Sequence, residues 1–147
     1  MNHRQIGIWL GAVLVISLIS RWRVYQSRAD RCNLDGNRIE PVRRVDLVRD
    51  GETVQSFCCI RCAGDWPDVP ADAYWRVHDE ITGEPLDASN ACFVESRVVT
   101  VPSRRDRIHV FKNWADALGH CTQYEGHRIP NPFDPAAAQS NDPGSPK

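Results

Sequence analysis

Cys32 stands alone, and Cys58 and Cys62 follow about one hairpin later with three residues between them. The two stretches read Arg31-Cys32-Asn33-Leu34-Asp35-Gly36 and Phe57-Cys58-Cys59-Ile60-Arg61-Cys62. Between them Asp50-Gly51 is a strong hairpin signal, flanked by Val42 to Val48 and Thr53 to Phe57, which both read as strands. A hairpin returns the chain to where it began, so the fold is expected to bring the lone cysteine beside the pair. Soft thiolates gathered from two segments are the donor set that a zinc or copper(I) site needs.

Three sulfurs suit trigonal copper(I), and a fourth ligand completes tetrahedral zinc. Cys32, Cys58 and Cys62 are the expected metal ligands, with Cys59 as an exchange ligand. Asp35, Cys59, His78 and His120 are the candidates for the fourth position. A helix start at the pair would make Cys58 more readily a thiolate. The chain has six cysteines, and even parity also permits disulfides, above all in an oxidising compartment. Vicinal Cys58 and Cys59 rarely bond to each other, because that ring is strained. The bland alternative is that Cys58 and Cys62 are small buried hydrophobes one helical turn apart. An interaction module with a structural zinc or a disulfide lies between these two.

Other chemistry is thin. Cys121 shares a helical face with Trp114 and Leu118, and Cys92 lies in Ala91-Cys92-Phe93-Val94, so both read as core. His78 and His109 fall on strands, His120 reads as exposed, and Asp79-Glu80 read as a solvated strand end. No Ser-His-Asp order, phosphate loop or His-x-x-x-His pattern is present, so no enzyme and no small-molecule substrate are expected. A thiol-disulfide oxidoreductase has only the Cys58-Cys59 and Cys62 cluster behind it, without a Cys-x-x-Cys after a strand. The net charge of −1 leaves no basic face for nucleic acid.

The chain divides into a flank over 1–5, an apolar anchor over 6–25, a linker over 26–31, a domain over 32–133 and an unstructured tail over 134–147. The uncharged run Ile6 to Ser20 spans roughly 22 Å as a helix, short of a hydrocarbon core of ~30 Å. Trp22, Val24 and Tyr25 extend it, while Arg21 and Arg23 can snorkel to the headgroups. No small-x-small cleavage pattern follows, which favours one uncleaved transmembrane helix over a signal peptide. Arg21, Arg23, Arg28 and Arg31 after the run, against Arg4 before it, argue for a cytoplasmic domain.

The domain reads as α+β, a mostly antiparallel sheet with one or two helices. Tyr74 to Asp79, Ala91 to Glu95, Val98 to Val101, Ile108 to Phe111 and His127 to Ile129 are strand-like. Thr82-Gly83-Glu84-Pro85 is a turn. Cys58 to Trp66 is a short helix. A second helix is capped by Asn113 with Asp116 at its third position and stopped by Gly126. A core this size is modest: about 100 residues bury roughly 60–70% of their unfolded surface.

The lone cysteine, hairpin and Cys-x-x-x-Cys resemble the signature of TRASH-type metal-trafficking domains. The longer series is Asp30-Arg31-Cys32 with Asp35-Gly36, Phe57-Cys58 through Cys62, Val77-His78-Asp79, Thr82-Gly83-Glu84, Ala88, Ala91-Cys92-Phe93-Val94, Phe111, Asp116-Ala117 and Gly126. Over about Asp30 to Pro132 it resembles the nitrous oxide reductase accessory protein (NosL) family. The resemblance implies a membrane-associated copper(I) chaperone acting outside the cytoplasm, with a client metalloprotein or metal transporter as partner. Asp35 stands where that family has its second cysteine, and Asn37 where it has a methionine. Val101-Pro102-Ser103 replaces a methionine-bearing stretch. Met1 is the only methionine, so any copper(I) site here must use cysteines, alone or with a histidine.

Overall fold

The computed structural model describes residues 13–22 and 30–134. Two antiparallel sheets and three helices form an α+β architecture. Residues 13–22 are helical (α1), and Val13, Leu14, Val15, Ile16, Leu18, Ile19 and Trp22 are all exposed. Among the described residues no helix is long and apolar enough to cross a membrane. The rest of the anchor expected over 6–25 lies outside the described residues, as do the flank, most of the linker and all but the first residue of the tail.

The first sheet holds β1 (Val45–Arg49), β2 (Glu52–Phe57), β3 (Tyr74–His78) and β4 (Pro85–Asp87) in the order β2-β1-β3-β4. The second holds β5 (Cys92–Glu95), β6 (Ile108–Phe111) and β7 (His127–Ile129) in the order β6-β5-β7. Helix α2 (Ile60–Gly64) follows β2, and α3 (Trp114–Tyr124) lies between β6 and β7.

The β1–β2 hairpin closes as expected. Arg49 faces Glu52, which leaves Asp50 and Gly51 as a two-residue loop, both with positive φ (52° and 80°). That backbone matches the twist of the strands and is the conformation Asp-Gly adopts at low cost. Asn113 also caps α3 as expected, its Oδ1 accepting from the Asp116 N–H at 3.0 Å.

One main core joins the two sheets and α2. Val45, Leu47, Phe57 and Val77 come from the first sheet, Phe93 and Val110 from the second, and Ile60 and Ala63 from α2. Cys32, Cys58, Cys59 and Cys62 belong to the same buried cluster. Phe57 is inaccessible to solvent and meets Trp66 and Trp75 with ring centroids 5.4 and 5.7 Å apart. Phe133 stacks on Trp75 at 4.8 Å, so aromatic packing continues to the end of the described chain.

Several local expectations are corrected. Pro85 does not only end a turn; it opens β4, an edge strand, where a missing N–H costs no ladder bond. Val98 to Val101 is not a strand. The Thr100 N–H instead donates to the Asp106 carbonyl at 2.8 Å, and Val101 makes only an isolated bridge to Asp106. Only the end of the second strand is inward: Ser56 and Phe57 are buried, whereas Val54 is exposed. Glu125, not Gly126, takes the left-handed conformation that ends α3. Gly126 is needed for another reason: an added Cβ would sit 3.0 Å from the Glu95 carbonyl oxygen. Asp79 is 1% exposed, not solvated; its carboxylate accepts from the Thr82 N–H and hydroxyl and from the Lys112 N–H, each at 2.8 Å.

Candidate metal centre

The site begins with a tight turn. Cys32 N–H donates to the Asn37 carbonyl at 2.8 Å, and Gly36 N–H donates back to the Cys32 carbonyl at 2.9 Å. Gly36 has φ of 73°, the left-handed conformation that lets the chain reverse here without a Cβ penalty. Cys32 and Asp35 thus share one turn.

That turn is stitched to β2. The Asn33 N–H donates to the Ser56 carbonyl at 2.9 Å, and the Ser56 N–H donates to Asn33 Oδ1 at 2.9 Å. Ser56 lies two residues before Cys58, so backbone hydrogen bonding places the turn against the start of the cysteine pair. The hairpin return expected above is therefore completed by Asn33.

After Phe57 the chain enters α2. Cys59 is its N-cap, with extended φ and ψ, and Cys59 Sγ accepts from the Cys62 N–H at 3.4 Å. This thiol serves the helix in the way a serine or aspartate cap does. Cys58 precedes the cap, and Cys62 lies one turn into the helix.

Cys32, Asp35, Cys58 and Cys62 each offer a ligand atom, and the four atoms all lie within 4.8 Å of one another. This group can hold a metal ion. Cys58 Sγ is 3.6 Å from Cys62 Sγ. Asp35 Oδ2 is 3.5 Å from Cys62 Sγ and 3.9 Å from Cys58 Sγ. The three cysteines are 3%, 2% and 0% exposed, while Asp35 is exposed, so the donor group opens outward on the carboxylate side.

The thiols shift in opposite directions. Cys58 is pushed up, first by its hydrogen bond to Cys59 and then by burial. Burial, followed by the charge of Cys59, pushes Cys62 up as well. Cys59 is lowered, because it accepts from Cys58 and from the Cys62 N–H against the opposing effect of burial. The hydrogen bond from Cys58, and after it the capping bond at the helix start, therefore favour the thiolate at Cys59, not at Cys58 as expected. Burial pulls Asp35 up, but hydrogen bonds from the Asn37 N–H, from Cys32 and Cys62, and from the Asn37 amide outweigh it and hold the carboxyl below its ordinary value. Crowded thiols that resist ionising beside one another are relieved by a cation, which displaces their protons on binding.

Asp35 is thus the one of the four candidate fourth ligands that joins the group. Cys59 is not among the four residues and points to its capping bond. His78 Nδ1 is 2.8 Å from the Arg44 carbonyl oxygen. His120, expected exposed, is half-buried, with its ring 4.1 Å from that of His109. Cys92 and Cys121 are half-buried and pack against Val94, Phe111 and Ala117, in keeping with core roles.

The sequence reading missed the strap over 101–106. Ser103 Oγ accepts from Asn37 Nδ2 at 3.1 Å, and Asn37 Nδ2 also donates to Asp35 Oδ2 at 2.9 Å. Asp106 Oδ2 accepts from the Arg61 N–H in the first turn of α2, and Arg104 pairs with Asp65 at its other end. The strap thus makes polar contacts to the ligand turn and to α2. No family model matches this chain, and no curated protein matches it either.

Proposed function

We propose that this chain is a membrane-tethered metal-binding accessory protein of the NosL type. It carries a thiophilic ion, copper(I) or zinc, and passes it to a client metalloprotein or metal transporter at the membrane. One observation carries the proposal: Cys32, from a separate segment, meets Cys58 and Cys62 with Asp35 beside them, all within 4.8 Å. Buried thiols gathered in this way have no need of each other for packing alone. The carboxylate side is open, so an acceptor thiol can approach there and displace the ligands stepwise. The apolar side chains of α1, all exposed, support a tether, and tethering raises the local concentration of a client without new contacts. The resemblance puts the domain on the external face, against the arginine count, and protease protection in sealed vesicles tests that placement.

Titration of the reduced, detergent-solubilised chain with copper(I) and with zinc tests the site. One ion per chain is expected. A Cys58→Ser, Cys62→Ser double variant that binds like the parent overturns the proposal.

The depth of the three sulfurs favours a second reading, a structural ion in an interaction module. Chelator challenge separates the two. A carrier gives up its ion while the fold persists, whereas a structural site loses metal and fold together.

A further inference from the structure

We infer that Asp35 makes this centre selective for a four-coordinate divalent ion, zinc over copper(I), and that Asn37 and Ser103 position the carboxylate for it. This rests on the metal-binding reading above and adds which ion the site prefers.

The spacing of the donors is the first support. Zinc bonds of ~2.3 Å to sulfur and ~2.0 Å to oxygen, at tetrahedral angles, put neighbouring sulfurs about 3.8 Å apart and sulfur and oxygen about 3.5 Å apart. Cys58 Sγ and Cys62 Sγ are 3.6 Å apart, and Asp35 Oδ2 is 3.5 Å from Cys62 Sγ and 3.9 Å from Cys58 Sγ. A trigonal plane at the same bond length spreads its sulfurs to about 4.0 Å and leaves an oxygen only a long, weak axial position.

The carboxylate is also held rather than loose. Its Oδ1 accepts from the Asn37 N–H at 3.0 Å and its Oδ2 from Asn37 Nδ2 at 2.9 Å. Each oxygen still has a lone pair to offer. Asn37 in turn is tied to Ser103 Oγ at 3.1 Å, across 66 residues of sequence. Outer partners of this kind orient a ligand and tune its affinity.

Ligand chemistry then decides between the ions. Copper(I) is soft and is satisfied by thiolates, so a hard carboxylate adds little to it. Zinc accepts sulfur and carboxylate oxygen together. Three thiolates and a carboxylate also carry four formal negative charges, which a dication neutralises better than a monocation.

The test measures zinc and copper(I) affinities of the full chain in detergent, under reducing anaerobic conditions, by competition with chromophoric chelators. The variants are Asp35→Ala, the near-isosteric Asp35→Asn, and Ser103→Ala. Loss of Asp35 is expected to weaken zinc on the order of 100-fold and copper(I) by less than about threefold, and Ser103→Ala to weaken zinc roughly 10-fold. Cobalt(II) substitution supplies a signature that a merely structural role does not move: the tetrahedral visible bands of the parent shift in both Asp35 variants and in Ser103→Ala. Equal loss for both metals, or loss for neither, overturns the inference and leaves the metal-binding reading standing. A parent chain that binds neither ion overturns both.

Discussion

His120 on α3 lies against His109 on β6 with ring centroids 4.1 Å apart, and both rings reach the hydroxyl of Ser96. His109 is inaccessible and sits 2.7 Å from the Glu80 carboxylate through Nδ1. Tyr124 on the same helix and Phe111 on β6 close the remaining sides of His120, at 4.7 and 5.2 Å. Uncharged His120 can accept from Ser96 at Nε2; protonated, it cannot.

A pH dependence follows from that contact. Burial, and next the charge of His109, lower His120 below its ordinary value of 6.5, with Glu80 opposing. The unfolded chain therefore binds the proton more readily than the folded one. The stability from this group is present above about pH 6.5 and is lost as pH falls toward the lowered folded value. Denaturant midpoints measured from pH 8 to pH 5 should decline below pH 6.5, and His120→Gln should flatten that part of the profile.

Asp79 offers a second handle on the fold. Its buried carboxylate accepts from Thr82 and from Lys112, joining the β3–β4 turn to the end of β6. Asp79→Ala strands two backbone N–H groups and should cost about 3 kcal/mol in chemical denaturation. A loss under about 0.5 kcal/mol would mean that water replaces the carboxylate at no penalty.

Cys59 and Cys32 should separate cleanly. Cys59→Ala removes the α2 cap and should cost about 1 kcal/mol of stability while one ion is still bound. Cys32→Ser should leave the fold nearly as stable and weaken metal binding. Metal stoichiometry by elemental analysis, beside denaturation of the same samples, checks both. If Cys59→Ala abolishes binding, that thiol is a ligand after all.

Gly126 should tolerate no side chain. A Cβ there meets the Glu95 carbonyl oxygen and Val94 Cγ1 at 3.0 Å and Ser96 Cβ at 3.1 Å. The first of these is backbone and cannot rotate aside. Gly126→Ala should destabilise by about 1–3 kcal/mol, and thermal melting reads the change directly.

Local chemistry made much of this architecture legible in advance. Asp50-Gly51 dictates a two-residue loop by its own φ preferences, and Asn113 with Asp116 satisfies its own helix end. Both signals act within four residues and survive any tertiary setting. Elements that depend on distant partners were harder to foresee. Pro85 begins a strand only because β3 lies beside it, and Val98 to Val101 bends away because Asp106 takes its hydrogen bonds. In the centre, the three sulfurs were readable from the hairpin between them. The choice of Asp35 over Cys59, His78 and His120 was not, since it follows from the turn at Gly36 and from Ser103, 66 residues from its contact. The proton preference moved from Cys58 to Cys59 because Cys59 accepts from Cys58 and, with α2 starting two residues later than expected, caps the helix by accepting from the Cys62 N–H.

The two hydrogen bonds between Asn33 and Ser56 have a consequence for how the donor group is assembled. One joins main chain to main chain and the other joins the Ser56 N–H to the Asn33 side chain, and neither uses a ligand side chain, so the turn bearing Cys32 and Asp35 is fixed against β2 independently of the donor atoms. The four donors are thus gathered by ties of the polypeptide itself and not by the atom they could surround.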